Sequence, residues 1–114
     1  MTNDPLWHYD RKTKKEILSY LKKYGRIGNK QETQNYSPSV GDFLALAKDY
    51  PTITYHGYVV EKPRDDYRVS IEGFSLIGLT VEQALEVVKT YGYADECNYK
   101  KEKDGTYTVY TWWD

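Results

Sequence analysis

The spacing of apolar residues changes at Thr52, and this change constrains the fold more than any other feature of the chain. Before Thr52, apolar residues recur at the three- and four-residue intervals of amphipathic helices. After it, β-branched and aromatic residues alternate with polar ones, as in strands that bury one face. A further segment with helical spacing, Thr80 to Tyr91, separates two such strand regions. Helical and strand segments segregated in this way predict an α+β fold.

The first predicted helix carries a capping box. Thr13 and Glu16 have the required spacing, so the helix is expected to begin at about Asp10 or Thr13. It would run to Tyr24, and Gly25 would end it in the left-handed conformation. Its stripe of core-facing residues is expected to comprise Ile17, Leu18, Leu21 and Tyr24.

Polar segments flank this helix. Residues 1–9 are predicted to form an N-terminal tail, and residues 25–36 a polar connection. A second helix would then begin at Ser37 or Ser39 and end before Pro51. Its apolar residues recur at helical spacing and are expected to pack in the core: Val40, Phe43, Leu44, Ala47 and Tyr50.

A first hairpin is predicted from residues 53–61 and 67–75, because turn-forming residues separate two strand-like segments. Pairing of Glu61 with Asp66 across a four-residue loop would set its register. That register places on one face of the hairpin Tyr67, Val60, Tyr58 and His56.

A second hairpin, residues 96–113, is predicted to turn at Asp104 and Gly105. Two turn types fit, and they exchange the faces of one strand. A two-residue type I′ loop would group Cys97, Tyr99, Tyr110 and Trp112. A type I turn with a glycine bulge would group Cys97, Tyr99, Tyr107, Val109 and Trp113. We favour the bulge because its inner face is more apolar. Tyr110 and Trp112 would then lie on the outer face beside Lys100.

The third helix has a capping box at Thr80 and Gln83, and Gly92 stands at its end. Its expected core stripe comprises Val81, Ala84, Leu85 and Val88. If Leu85 is fully buried, Leu85→Ala should cost about 2 to 5 kcal/mol. Residues 1–114 are thus expected to form a single two-layer α+β domain in the order α-α-β-β-α-β-β. Its mainly antiparallel four-stranded sheet would pack against the helices.

Positive charge is concentrated between residues 11 and 30. This segment holds eight of the 16 basic residues and one of the 17 acidic residues, a net charge of +7, whereas the other 94 residues carry −8. Such a field orients charged partners. Thirteen Tyr and three Trp offer aromatic anchors for a partner. The candidate partner-binding residues are Arg11, Lys15, Lys22, Lys23, Arg26, Tyr110 and Trp112.

The chain lacks a recognisable catalytic or metal-binding motif. A structural zinc site needs about four Cys or His ligands, and the sequence has one cysteine and two histidines. Cys97 and His56 would form a nucleophile and base only if the hairpins brought them together. A buried thiol and an imidazole on the sheet surface are the simpler expectation. We therefore expect no catalysis, no metal and no cofactor.

Several features indicate a cytoplasmic protein without a membrane partner. A single cysteine excludes an internal disulfide and suits a reducing compartment. The first residues lack the pattern of a secretory signal. No apolar run approaches the roughly 18 residues that a membrane span needs.

The expected function is binding of another protein, as an adaptor, inhibitor or immunity-type partner, and an acidic partner would suit the basic helix. Nucleic-acid binding is the alternative. Residues 13–75, in the order helix, polar segment, helix and hairpin, resemble a winged helix-turn-helix with residues 62–66 as the wing tip. That resemblance implies DNA reading by the second helix, where Asp42 and Asp49 outnumber Lys48. A small enzyme is the third candidate.

Overall fold

Five antiparallel strands form one sheet in the computed structural model, which describes residues 5–114. The strands are β1 (Leu6–Lys12), β2 (Thr54–Val60), β3 (Arg68–Leu79), β4 (Glu96–Lys101) and β5 (Tyr107–Trp112). They lie in the order β1-β2-β3-β5-β4. The helices are α1 (Lys14–Tyr24), α2 (Val40–Ala45) and α3 (Val81–Tyr91), with 3₁₀ turns at Asn29–Gln31 and Leu46–Lys48. The predicted α+β class is confirmed.

All three helices pack against one face of the sheet. One pair of residues illustrates each contact: Trp7 with Tyr20 of α1, Tyr55 with Phe43 of α2, and Phe74 with Tyr91 of α3. The core on this face contains the strand residues Val59, Val69, Ile71, Leu76 and Val109, together with Trp113 directly after β5. The opposite face carries no helix within residues 5–114, and we call it the open face.

Strand β1 contradicts the predicted N-terminal tail. It pairs antiparallel with β2, so the sheet has five strands, not four, and the order is β-α-α-β-β-α-β-β. Trp7 and Tyr9 face the helices, and the Tyr9 hydroxyl donates a hydrogen bond of 2.7 Å to the Ser70 carbonyl. The alternation of aromatic and polar residues in β1 is short and adjoins the basic segment, which is why the sequence indicated a tail. Residues 1–4 of that tail lie outside the described part of the chain.

The predicted capping box of α1 is present and the helix ends at Tyr24 as predicted, but the predicted conformation of Gly25 is wrong. The Thr13 hydroxyl accepts a hydrogen bond from the Glu16 backbone nitrogen, and the Glu16 carboxylate accepts one from the Thr13 backbone nitrogen. Gly25 has φ −76° rather than a left-handed conformation. A side chain there would collide with the Leu21 carbonyl. Gly25 is therefore explained by this close approach and not by a positive φ.

The second predicted helix is shorter than expected. Ser39 caps it by accepting a hydrogen bond from the Asp42 backbone. Regular α-helix ends at Ala45, and a 3₁₀ turn completes the segment. Its buried residues are Val40, Phe43 and Leu44. α2 thus contributes mainly buried side chains to the core.

Helix α3 has its predicted cap, with the Thr80 hydroxyl accepting from the Gln83 backbone. Its predicted core stripe is partly wrong. Ala84 and Val87 are buried, whereas Leu85 is 65% exposed. The helix is rotated so that Val87 faces the sheet. α3 lies over β4 and β5, where no other element of residues 5–114 covers its flank.

The predicted register of the first hairpin is wrong by one residue. Val60 lies opposite Arg68 and Val59 opposite Val69, because the connecting loop is longer than four residues. Val59 rather than Val60 therefore joins the core beside Val69. An irregularity in the pairing follows between His56 and Gly57.

The glycine bulge of the second hairpin is present. Tyr99 lies opposite Val109, and Gly105 has φ +87°. Tyr110 and Trp112 consequently lie on the open face, as predicted for this turn. The register of β4 and β5 thereby follows from local turn chemistry.

Candidate functional site

Lys15, Leu18 and Lys22 form the exposed side of α1. Their spacing of three and four residues places them on one face of the helix, opposite the buried Ile17. Leu18 is 39% exposed. Leu18 was predicted to pack in the core, and the structure places it instead between two lysines.

A groove of about 400 Å³ lies beside this side of α1. Leu18 and Leu21 line one wall, and the segment from Gly28 to Gln31 lines the other. Lys22, Arg26 and Lys30 also border it. We call this surface the basic groove and include Lys15 and Ile27, because Lys15 shares the helix face of Lys22 and Ile27 is fully exposed next to Arg26.

The side chain of Asn29 holds the wall of the groove in place. Its amide nitrogen donates to the Val69 carbonyl at 2.8 Å, and its oxygen accepts from the Val69 backbone nitrogen at 2.9 Å. β5 pairs with β3 only from Ser75 onward, so this part of β3 has an open edge. Asn29 occupies that edge as a strand residue would, and so fixes the segment beside α1.

The cations of the groove differ in how far they are neutralised. Arg26 donates two hydrogen bonds to the Glu32 carboxylate, at 2.8 and 3.2 Å, and this contact raises the pKa of Arg26. No carboxylate of residues 5–114 forms an ion pair with Lys15, Lys22 or Lys30. The free positive charge of the groove therefore comes from these three lysines.

Two other predicted cations lie away from the groove. The Lys23 ammonium lies 5.2 Å from the ring centroid of Tyr24, close to Glu61 and Tyr67. Arg11 lies in β1, 3.7 Å from the Asp10 carboxylate. The predicted basic face is thus divided, with Lys15, Lys22 and Arg26 in one place and the other two elsewhere.

Tyr110 and Trp112 lie on the other side of the molecule from the groove. Both are half-buried on the open face, and Tyr110 stacks on His56 with ring centroids 4.9 Å apart and an interplanar angle of 13°. The structure therefore does not bring the predicted aromatic anchors together with the basic helix.

A polar network crosses the open face near these aromatics. The Gln34 side-chain oxygen accepts from the Tyr58 hydroxyl at 2.8 Å and from Ser70 at 3.1 Å. Arg68 donates to the same Tyr58 hydroxyl at 2.9 Å. His8 lies 3.8 Å from the Glu72 carboxylate. These groups satisfy one another, which leaves few of them free for a ligand.

His56 and Cys97 do not form a catalytic pair. His56 lies on the open face of β2, whereas Cys97 lies on the helix-bearing face of β4, and β3 and β5 lie between these two strands. Burial lowers the pKa of His56, opposed by the Asp10 carboxylate. Burial also raises the pKa of the Cys97 thiol, which keeps it from the reactive thiolate form.

Residues 5–114 contain no group of three or more His, Cys, Asp or Glu side chains placed to hold a metal. None of the helices in that range is long and apolar enough to cross a membrane. The chain matches no protein-family model, and searches of curated proteins and of solved structures gave no match.

Sequence reasoning missed three parts of the basic groove. Ile27 is an isolated apolar residue in a polar segment, and that isolation was a signal of exposure. Lys30 belongs to the basic segment but lay outside the predicted helix. Asn29 gave no signal, because its partner Val69 is forty residues away.

Proposed function

We propose that the chain binds another protein through the basic groove, without catalysis. One observation carries the proposal. Leu18 is exposed between Lys15 and Lys22, Ile27 is fully exposed next to Arg26 in the sequence, and no carboxylate in the described part of the chain forms an ion pair with Lys15, Lys22 or Lys30. Like charges gathered around apolar side chains do not help the isolated chain fold. A partner that supplies carboxylates would pair with the lysines, and an apolar side chain of the same partner would cover the exposed apolar residues.

The preferred partner has an acidic segment with an apolar residue within it. The lysines would steer encounter and set orientation. The apolar side chain would enter the groove against Leu18 and Leu21, where burial supplies affinity. Asn29 holds the groove in place before binding, so little ordering would be needed.

Nucleic-acid binding is the rival proposal, and the groove favours it less. Phosphate contacts need cations but no apolar surface, and Leu18 would gain nothing from a phosphate backbone. The net charge of −8 outside residues 11–30 would also repel a polyanion. In the segment that resembles a winged helix, the apolar residues of α2 are buried.

A capture experiment with matched charge reversals tests the proposal. The bait variant combines Lys15→Glu, Lys22→Glu and Lys30→Glu. The control combines Lys48→Glu, Lys89→Glu and Lys103→Glu, which makes the same charge change at exposed sites outside the groove. We expect a protein retained by the wild type and the control after nuclease treatment and lost from the groove variant. Equal retention by both variants would contradict the proposal.

Oligonucleotide titration separates the two candidate functions. Random duplex and single-stranded oligonucleotides are titrated at about 50 mM salt, which favours phosphate contacts. We expect no binding that depends on the groove. Micromolar binding by the wild type that disappears in the groove variant would favour the nucleic-acid function instead.

A further inference from the structure

The outer edge of β4 is unpaired in the described part of the chain, because β4 is the last strand of the sheet. At the hairpin turn, the Glu102 backbone nitrogen donates to the Thr106 carbonyl at 2.7 Å. In an antiparallel pair, hydrogen-bonding residues alternate along each strand. The residues whose backbone groups point away from β5 are therefore Cys97, Tyr99 and Lys101.

An apolar patch accompanies this edge. Gln83 of α3 lies beside Tyr50, and Leu85 is about 200° further around the helix, which places it on the β4 side. Leu85 is 65% exposed and Tyr99, on the face of β4 that bears α3, is 66% exposed. Val81, one helical turn before Leu85, is 44% exposed. We call Val81, Leu85 and Tyr99 the edge patch.

The charges of β4 are self-complementary. Glu96 and Lys100 lie on the same face of the strand, at equal distances from Asn98. Lysines often protect an exposed edge by repelling a second strand. Here Lys100 is matched by Glu96 at the other end of the same strand, so two antiparallel copies place opposite charges beside each other.

We propose that two copies of the chain associate edge to edge through β4, with Asn98 of one copy opposite Asn98 of the other. Glu96 of each copy then lies opposite Lys100 of the second copy. Cys97 lies opposite Tyr99, and these two residues exchange backbone hydrogen bonds. The two sheets become one ten-stranded sheet, and the edge patches meet across the two-fold axis.

The charge pattern selects this register over its neighbours. Residues whose backbone groups point away from β5 must pair with the same kind of residue in the second copy. The alternative registers of the two β4 strands therefore differ by two residues. With Tyr99 opposite Tyr99, Glu96 would face Glu102. With Cys97 opposite Cys97, Glu96 would face Asn98 and lose its ion pair. Asn98 opposite Asn98 gives two opposite-charge pairs and no like-charge pair among the strand residues.

Charge reversal tests the interface. Sedimentation equilibrium over about 10 to 500 μM should show a concentration-dependent dimer of the wild type. Glu96→Lys or Lys100→Glu alone creates two like-charge pairs and should weaken dimerisation about tenfold. The double variant, or an equimolar mixture of the two single variants, should restore it. Lys103→Glu, in the turn outside the paired residues, is the matched control.

Two outcomes overturn the proposal: a wild type that stays monomeric at the highest concentration, or a dimer that both single reversals leave unchanged. Circular dichroism confirms that each variant folds. The dimer does not depend on the basic groove, so the groove variant should dimerise normally even if no protein partner exists.

Cross-linking tests the register itself. In a Cys97→Ser background, Asn98→Cys should form a disulfide-linked dimer on mild oxidation, since directly opposed strand residues lie within disulfide range. Lys103→Cys in the same background is the control and should cross-link at least tenfold more slowly. Equal rates for the two variants would refute the register.

Discussion

Asn29 pairs with both backbone groups of Val69, and in doing so its side chain replaces a strand at the open edge of β3. The residue is 3% exposed. This contact links the sheet to the segment that lines the basic groove. One amide therefore contributes to the stability of the fold and also positions the segment that lines the groove.

Asn29→Ala should lower the free energy of unfolding by about 2 to 3 kcal/mol, because it leaves a buried donor and a buried acceptor of Val69 unsatisfied. Asn29→Asp keeps an acceptor for the Val69 nitrogen but places a carboxylate against the Val69 carbonyl, so it should also destabilise. Urea melts measure both. A loss below about 0.5 kcal/mol for Asn29→Ala would show that the contact contributes little.

A second prediction concerns the rotation of α3. Val87→Ala should cost about 1 to 3 kcal/mol, because Val87 is buried against the sheet. Leu85→Ala should change the free energy of unfolding by less than about 0.5 kcal/mol in the monomer, because Leu85 is exposed. Urea melts at low protein concentration provide the comparison. The opposite ranking would mean that the helix packs through the stripe predicted from sequence.

The sequence predicted those features that depend on neighbouring residues. The caps at Thr13 and Thr80 and the bulge at Gly105 each involve a few adjacent positions. Helical periodicity identified α3 but could not decide between Leu85 and Val87, since both belong to one broad apolar arc. Only the position of the sheet decides which part of that arc is buried.

Features that depend on distant residues were missed. β1 is a strand because it pairs with β2, about fifty residues later, and its short alternation has no local turn to mark it. In the candidate site, Lys15 and Lys22 were predicted from charge alone. The groove between them and Lys30 requires the contact of Asn29 with Val69, which no local pattern encodes.

A third prediction concerns Gly73. A Cβ atom there would collide with the Thr111 carbonyl and with the His56 ring, so Gly73→Ala should destabilise the fold by more than about 2 kcal/mol. Gly78 is the control, since its φ of +69° disfavours a side chain but nothing lies within contact distance. Gly78→Ala should cost only about 1 kcal/mol. Thermal melts of the two variants give the ranking, and equal losses would contradict it.

The last prediction is a pH dependence that originates at His56. Burial lowers the pKa of its imidazole in the folded state below the ordinary 6.5, because charging the ring would require desolvating a cation next to Tyr110. The unfolded chain therefore binds the proton at higher pH than the folded chain does. The stability that neutral His56 provides is complete above about pH 6.5 and is lost as the pH falls toward the lower, folded-state pKa.

Urea melts at pH 7.5 and pH 5.0 measure this loss, since the two values lie on either side of the ordinary imidazole pKa of about 6.5. His56→Gln stays neutral throughout, so its free energy of unfolding should fall less between the two pH values than that of the wild type. His8→Gln, the same substitution at an exposed histidine on the same face, controls for the change of residue type. If His56→Gln and the wild type lost the same stability, proton uptake by carboxylates would account for the whole pH effect, and His56 would contribute nothing to it.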